Sequence, residues 1–248
     1  SEDWELPLSP DKTQILFIGN NNPRNAYFIS DVVLISEDSE IRDLGFFISP
    51  NLNFQKHCKL VSRAAKFRTY NLFKSLSTNK TDILLKAYKS YVRPIIEYGS
   101  SVPILNKTST KTLESVQNDF TRKLWFRTGL ARVTQVPSAN FRNKKLGLMT
   151  LEYRRCIADL CMVHKIAYNS NGYRRDQNFF KFAQSRTRGS SVKLLFPRSK
   201  TNVRKSFFTN RGGSQFLRIT KKLNISGPIK LNKFKNQISH NLLMRNGQ

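Results

Sequence analysis

Carboxylate side chains are the first candidates for catalysis, because two-metal polymerases and nucleases need two or three of them around hard divalent cations. Glu37, Asp38 and Glu40 lie close together, but in a predicted loop, where a solvated acidic turn is the plainer interpretation. No adjacent pair of aspartates follows an apolar run anywhere in the chain. The residues alone therefore predict no catalytic residue.

Cysteine and histidine residues offer two further candidate sites, and each lacks a part that its chemistry needs. Cys156 and Cys161 lie about 140° apart on a helix of 3.6 residues per turn. His164 is near them in the sequence, but no second pair completes a tetrahedral metal set. His57 precedes Cys58 without a nearby carboxylate in the sequence that could orient a base. We predict core thiols, no metal ligand and no cofactor in this chain.

The charge of the 248-residue chain is strongly positive, with 43 Lys and Arg residues against 16 Asp and Glu residues and a net charge of +27. Residues 1–43 contain nine acidic and three basic residues, whereas residues 44–248 contain forty basic and seven acidic ones. Such a charge attracts polyanions, so RNA and DNA are the expected partners and a small-molecule substrate is not. No apolar run approaches the roughly 20 residues that span a bilayer, so no membrane partner is expected. Three cysteines without framework spacing favour an intracellular, reducing compartment.

The hydrophobic pattern divides the chain into a short β region and a longer helical region. Strands of a small antiparallel sheet are predicted at residues 14–18, 26–29, 32–35 and 44–48. Helices are predicted at residues 54–76, 83–96, 113–124 and 150–166, with a kink or break at Pro94. After residue 172 basic and polar residues dominate, residues 211–214 are typical of a flexible basic turn, and helical spacing returns at residues 230–243. We therefore expect an α+β fold with a basic, partly ordered C-terminal region.

Basic residues accompany every predicted helix, and the first helix sets them along one side of its apolar stripe. This geometry would follow a phosphate backbone while the other side packs. A solvated basic face is the alternative for one helix alone, but the repetition favours binding. Tyrosines between the basic residues are candidates for stacking on bases or for the core: Tyr70, Tyr88, Tyr91, Tyr153 and Tyr173. The predicted nucleic-acid contacts are Lys56, Lys59, Arg63, Lys66, Arg68, Lys74, Arg93, Arg122, Lys123, Arg154 and Arg155.

Several local sequence patterns occur in a fixed order over nearly the whole chain. They are Trp-Glu-Leu-Pro-Leu-Ser-Pro-Asp-Lys-Thr at 4–13, Ile-Arg-Asp-Leu-Gly-Phe at 41–46, Asn-Phe-Gln-Lys-His at 53–57, Tyr-Val-Arg-Pro-Ile-Ile-Glu-Tyr at 91–98, and the runs at 113–122, 146–155 and 204–235. Together they resemble the reverse transcriptases of non-LTR, LINE-type retrotransposons from the late palm onwards. The order of the patterns carries the resemblance, since each one alone is weak.

The resemblance implies a role for individual residues and a division of the chain. Lys12 would lie near the phosphates of an incoming nucleotide, and Asp43, Leu44 and Gly45 would belong to the primer-grip hairpin. Residues 1–52 would be the end of the palm, with a remnant of its sheet and the primer grip. Residues 53–128 would form a helical thumb, 129–172 a helical segment after the thumb, and 173–248 a basic C-terminal region.

The family places its paired catalytic aspartates, which bind Mg²⁺, just upstream of the pattern at residues 4–13. The resemblance therefore implies a piece of a longer polymerase that starts after them and is inactive alone. Residues 101–103 and 214–216 depart from the family pattern by lacking a tryptophan, which indicates a diverged copy. We expect the chain to hold an RNA template and DNA primer in the nucleus, beside the missing palm and fingers. The alternatives are a free-standing domesticated nucleic-acid-binding protein and a non-functional fragment of a decayed element.

Overall fold

The computed structural model of the chain describes residues 9–29, 32–34, 40–103, 105–130, 136–168, 180–182, 194–196, 198–225 and 227–244. Within this part of the chain the fold is α+β, as the sequence predicts. Small antiparallel strand pairs accompany helices that carry most of the buried apolar side chains. None of the described helices is long and apolar enough to cross a bilayer.

The strands form separate two-stranded pairs among the described residues, whereas the sequence predicted one sheet. The pairs are β1 (Phe28–Ile29) with β2 (Val32–Val33), β3 (Ile41–Asp43) with β4 (Phe46–Ile48), and β5 (Lys181–Phe182) with β6 (Leu194–Leu195). Residues 14–18 contain only an isolated bridge at Ile15, so the strand predicted there was wrong. Apolar side chains alone do not make a strand, because a strand also needs a partner that takes its backbone hydrogen bonds.

A two-residue turn joins β3 to β4. Asp43 pairs with Phe46, and Leu44 and Gly45 between them have φ angles of 44° and 87°. Positive φ at both central residues matches the twist of an antiparallel hairpin. The strand predicted at residues 44–48 therefore begins only at Phe46. The Tyr98 hydroxyl donates a hydrogen bond of 3.1 Å to the Leu44 carbonyl oxygen, which ties this turn to the helical region.

The first helices follow the sequence pattern closely. They are α1 (Gln55–Ser75), α2 (Thr81–Ala87), a π-helical turn at Tyr88–Val92, α3 (Arg93–Glu97) and α4 (Lys107–Arg127). The break predicted at Pro94 is confirmed, and the π-helical turn explains it. Proline has no N–H to continue the ladder. The Arg93 N–H reaches back five residues to the Tyr88 carbonyl, so the wider turn absorbs the defect.

Five further helices complete the described chain. They are α5 (Ala139–Lys145), α6 (Leu151–Ala167), α7 (Asn202–Ser206), α8 (Phe208–Lys222) and α9 (Leu231–Met244). Side-chain oxygens of Ser138, Thr150 and Thr201 accept hydrogen bonds from the first turns of α5, α6 and α7. The sequence predicted α6 and α9, but it did not predict α5, α7 or α8.

The flexible turn predicted at residues 211–214 was wrong, because these residues lie inside α8. Glycine disfavours a helix interior, but here it permits close packing. A Cβ atom on Gly213 would overlap the rings of Phe196 and Phe180, and one on Gly212 would press on Val163 and Phe208. Packing against these side chains therefore outweighs the low helix propensity of the glycines.

The first hydrophobic cluster joins α1, α2, α3 and α4. The Tyr88 ring stacks on Phe120 with centroids 4.2 Å apart, and both side chains are fully buried. The Tyr88 hydroxyl donates to Gln117 Oε1 at 3.2 Å, and Gln117 Nε2 donates to the Met149 carbonyl at 3.0 Å. Leu151, at the start of α6, also belongs to this cluster. The first turn of α6 is therefore packed against α1 to α4.

The second hydrophobic cluster joins α6 to α8 and α9. His164 stacks on Phe234 with centroids 4.5 Å apart, and Phe216 packs beside both rings. The cluster therefore crosses residue 172, where the sequence placed a boundary. Its helices α8 and α9 lie in the region that was expected to be only partly ordered. Apolar anchors spaced far apart in that region, such as Phe208 and Ile238, meet only through tertiary packing.

Candidate nucleic-acid interface

Helix α1 has one buried face and one long exposed face. Its 21 residues include no acidic side chain. With 3.6 residues per turn, one exposed stripe runs along the helix for about 27 Å. The stripe combines three basic side chains with one aliphatic and two aromatic ones: Lys56, Leu60, Arg63, Phe67, Tyr70 and Lys74. Phe67 and Tyr70 are 66% and 55% exposed, so their rings are open to a ligand.

Two of the predicted α1 contacts are held by ion pairs. Lys56 Nζ lies 2.6 Å from Glu40 Oε2, and Lys66 Nζ lies 3.0 Å from Asp119 Oδ2. The other four basic side chains of α1 are exposed and have no ion pair with the residues that the structure describes: Lys59, Arg63, Arg68 and Lys74. These four cations are therefore free to meet phosphates without breaking an intramolecular contact.

Arg93 and Arg154 both contact one carboxylate, that of Glu97 at the end of α3. Arg154 Nη2 donates to Glu97 Oε2 at 2.8 Å, a second bond joins Arg154 Nε to Glu97 Oε1, and Arg93 Nε lies 3.7 Å from Oε2. The hydrogen bonds that Arg154 donates to Glu97 raise the pKa of Arg154. Arg154 links α6 to α3, whereas the Arg93 pair lies within α3. The predicted contacts of both arginines with nucleic acid would compete with these ion pairs.

Arg155 lies beside Arg154 but has a different environment. Its Nη2 donates to the carbonyl oxygens of Ser100 at 3.0 Å and Pro103 at 3.2 Å. Burial, together with the nearby charge of Arg211, lowers the pKa of Arg155 to about 10. Its guanidinium is thus still charged at neutral pH, and it belongs to a buried wall of the protein and not to the α1 surface.

The remaining predicted contacts divide between the surface and the core. Arg122 and Lys123 are exposed on α4, and the Arg122 guanidinium lies 6.0 Å from the centre of the Phe126 ring. Tyr91 is exposed on the π-helical turn. Tyr88 is buried against Phe120, so of the two roles that the sequence left open for it, the structure shows the core one. Burial also raises its pKa well above the usual value of a tyrosine. Tyr153 is half-buried, and Tyr173 lies outside the described residues.

The residues that the resemblance placed near the polymerase centre lie on the surface. Lys12 is exposed at the end of a 3-10 turn, Pro10–Lys12. Asp43, Leu44 and Gly45 are exposed in the β3–β4 turn. Their proposed contacts with a nucleotide and a primer remain predictions.

The described residues do not form a Mg²⁺ site of the kind that the resemblance implies for the parent polymerase. Among them, no three His, Cys, Asp or Glu side chains lie close enough together to hold a metal ion. Glu40 pairs with Lys56, whereas Glu37 and Asp38 lie outside the described residues. No step of a reaction is therefore assigned to a metal in this chain.

The histidine and cysteine candidates lie in the cores. His57 and Cys58 are 6% and 1% exposed, and burial lowers the pKa of His57 and raises that of Cys58. Burial raises the pKa of Cys156 to about 11 and also raises that of Cys161. A thiol with a raised pKa is a poor nucleophile at neutral pH, so these residues fit the predicted structural role.

Sequence reasoning missed arginines that donate to backbone carbonyls. Arg127 donates to Leu76 at 2.8 Å and to Phe73 at 2.7 Å, which satisfies carbonyls at the end of α1. Arg142 donates to Asn118 on α4, and Arg211 forms an ion pair of 2.8 Å with Asp159. A large distance in sequence separates most of these partners, so no local pattern marks them.

Comparisons with known proteins give little further information about the chain. No protein-family model matches it, and no solved structure matches it. An uncharacterized protein of Caenorhabditis elegans is 26% identical over 129 residues. The match covers 52% of this chain and 63% of that relative, so the chain spans less than two thirds of the relative's length. The function must therefore be proposed from the residues and the geometry of the chain itself.

Proposed function

We propose that this chain binds nucleic acid through α1 and that it is the C-terminal portion of a retrotransposon RNA-directed DNA polymerase. One observation carries the binding proposal: α1 has no acidic residue and exposes four cations that have no ion pair among the described residues, with Phe67 and Tyr70 between them. Cations at this spacing contact successive phosphates, and exposed rings stack on bases or riboses. The net charge of +27 draws any polyanion towards this surface.

The polymerase origin rests on the order of the sequence motifs between residues 4 and 235. In this proposal α1 to α4 are the thumb that grips the RNA template and DNA primer, and the β3–β4 turn is the primer grip. Lys12 acts near the nucleotide only when the upstream palm and fingers are present. The catalytic aspartates and Mg²⁺ belong to that upstream part, so this chain alone extends no primer. Such a complex would work in the nucleus, which fluorescence imaging of the tagged chain would test.

A charge-reversal experiment tests the α1 surface. The double variant Lys59→Glu and Arg63→Glu removes two neighbouring cations of α1. We expect its affinity for an RNA–DNA duplex at 0.1 M salt to fall by at least about sixtyfold, because each lost phosphate contact costs about eightfold there. The plot of log affinity against log salt should also become less steep by about 1.8.

A matched control separates the α1 surface from net charge. Lys221→Glu and Lys233→Glu make the same change in charge on exposed positions of α8 and α9. The proposal predicts a much smaller loss for this control, with a nearly unchanged salt slope. Equal losses for both double variants would mean that only the total charge matters, and α1 would not be the interface. Circular dichroism should show that both variants are folded.

A further inference from the structure

A second basic surface lines a cleft that the α1 proposal does not use. The cleft has a volume of about 1090 Å³ and lies between α4 and α5 on one side and α6, α7 and α8 on the other. It is open at one side, and cavities of this size hold ligands larger than a single ion. Its basic side chains come from four different helices: Lys144, Arg155, Lys205, Arg211 and Arg218.

The carboxylates of the cleft do not neutralise these cations. Only Glu152 and Asp159 face it among the lining residues, and Asp159 is taken by Arg211 at 2.8 Å. No ion pair joins Lys144, Lys205 or Arg218 to any residue that the structure describes, and all three are exposed. With five basic and two acidic lining residues, the cleft therefore has an excess of positive charge.

Arg155 gives the cleft a fixed donor in its wall. The two carbonyls that Nη2 contacts, those of Ser100 and Pro103, hold the guanidinium in place, whereas Nε and Nη1 have no acceptor among the described residues. No described carboxylate lies within 4.0 Å of Arg155. A planar guanidinium with open donors matches the oxygens of a phosphate group. Burial and the nearby Arg211 destabilise the charged form of Arg155 and lower its pKa to about 10. A bound anion would offset this destabilisation.

We propose that this cleft binds phosphate groups of a single-stranded nucleic acid, with Arg155 in its wall and Lys144, Lys205 and Arg218 at its rim. The five cations of the cleft exceed the charge of one phosphate group, whereas the successive phosphates of a strand can match them. Phe141, which is 55% exposed and lines the same cleft, offers a ring on which a base can stack. A cleft of this volume admits a few nucleotides and excludes a duplex. The proposal is independent of α1, because no α1 residue lines the cleft.

The three methionines of the chain allow a test that reports on the cleft alone. Met149 and Met162 both pack against the second hydrophobic cluster, but of these two only Met149 lines the cleft. With carbon-13-labelled methionine methyl groups, a single-stranded 12-nucleotide DNA should shift the Met149 signal and leave the Met162 signal in place. Lys144→Glu with Arg218→Glu should raise the concentration needed for half of this shift by at least about tenfold, as expected for lost hydrogen bonds to a charged group.

Control variants and competing ligands decide between this proposal and its alternatives. Lys221→Glu with Lys233→Glu, the matched change in charge, should leave the Met149 titration within about threefold of the unaltered chain. Lys59→Glu with Arg63→Glu should also leave it intact, so that a failure of α1 binding is distinguished from a failure here. The cleft proposal is overturned if the Met149 signal does not move when fluorescence anisotropy shows that the DNA is bound. It is also overturned if Lys221→Glu with Lys233→Glu weakens the shift as much as Lys144→Glu with Arg218→Glu. If pyrophosphate shifts Met149 but the 12-nucleotide strand does not, the strand is the wrong ligand.

Discussion

Lys66 offers the most informative perturbation of the α1 surface, because an ion pair now holds it. Its Nζ lies 3.0 Å from Asp119 Oδ2, and the two side chains are 46% and 48% exposed. Replacing Asp119→Asn keeps the shape of the side chain and removes its charge. An exposed pair of this kind contributes at most about 1 kcal/mol to stability, so the fold should tolerate the change. Lys66 then joins the four cations of α1 that have no ion pair with the described residues.

The gain in binding follows from the number of phosphate contacts. Each contact with a duplex contributes about 0.9 to the slope of log affinity against log salt, so four contacts from α1 give a slope of about −3.6. A fifth contact makes the slope about −4.5. At 0.1 M salt it raises the affinity by up to about eightfold, or about 1.2 kcal/mol. The gain is an upper limit, because a lysine in an exposed pair is already partly available.

Fluorescence anisotropy with a labelled RNA–DNA duplex, repeated at several salt concentrations, measures both quantities. Asp82→Asn is the matched control, because it makes the same change on an exposed residue of α2 and no ion pair joins Asp82 to the described residues. We expect the steeper slope only for Asp119→Asn. If Asp82→Asn gave an equal gain, the effect would belong to net charge. If Asp119→Asn gave none, Lys66 would not face the bound phosphates, and the proposed orientation of α1 would be wrong.

Three further predictions concern the free energy of unfolding, measured with urea. Arg127→Ala should lower this free energy by about 2–4 kcal/mol, because it removes two charged hydrogen bonds to carbonyls at the end of α1. Lys123→Ala, on the exposed side of α4, should change it by less than about 0.5 kcal/mol. Similar losses for the two variants would contradict the role of Arg127 in binding the α1 carbonyls. Gly99→Ala should lower the free energy of unfolding more than Gly129→Ala does. Both glycines have positive φ, but only a Cβ on Gly99 would overlap a buried phenylalanine ring. Equal losses would mean that backbone strain accounts for both and that the ring overlap costs nothing. Burial lowers the pKa of His164 below 6.5, so the unfolded chain takes up the proton first and stability should fall as the pH drops below about 6.5. His164→Phe should reduce this fall, and an unchanged pH profile would show that the histidine is not its source.

The part of the fold that the sequence predicted is the part that local periodicity determines. Helix α1 has an unbroken apolar stripe, so both its extent and its basic exposed face followed from spacing alone. Spacing did not predict helix α8, because Gly212 and Gly213 lower its helix propensity. These glycines permit close packing against side chains that are distant in the sequence. The strand predicted at residues 14–18 failed for the corresponding reason, since a strand depends on a partner that periodicity does not specify.

The candidate site was harder to predict than the fold, because charge type alone does not say where an arginine lies. Arg155 and the Ser100 carbonyl that it contacts are 55 residues apart in the sequence. Arg154 and its partner Glu97 are 57 residues apart. The sequence grouped these arginines with the lysines of α1 as one basic surface, whereas the structure separates them by their partners.

The scarcity of acidic residues explains how the chain uses its cations. With 43 basic and 16 acidic residues, most of the basic residues cannot be neutralised by carboxylates. Arginine tolerates burial better than lysine, because its guanidinium is weakly hydrated and carries five donors. Several arginines accordingly donate to backbone carbonyls: Arg127, Arg142, Arg155 and Arg211. Many of these carbonyls lie at a helix end or in a loop, where no backbone N–H takes the acceptor.

Because part of the positive charge is used within the protein, the net charge does not give the number of phosphate contacts. Arg127, Arg142 and Arg211 use their donors within the protein and stabilise the fold, whereas Arg155 keeps Nε and Nη1 without an acceptor among the described residues. Lysines cannot replace them there, since an ammonium lacks the planar fork. Among the described residues, lysines supply two of the four α1 cations without an ion pair and two of the three at the rim of the cleft. A charge of +27 therefore overstates the number of phosphates that the chain can hold, and the slope of affinity against salt should correspond to about four contacts at α1. A slope several times steeper would mean that the carbonyl-bound arginines leave their partners on binding, which the fixed position of Arg155 argues against.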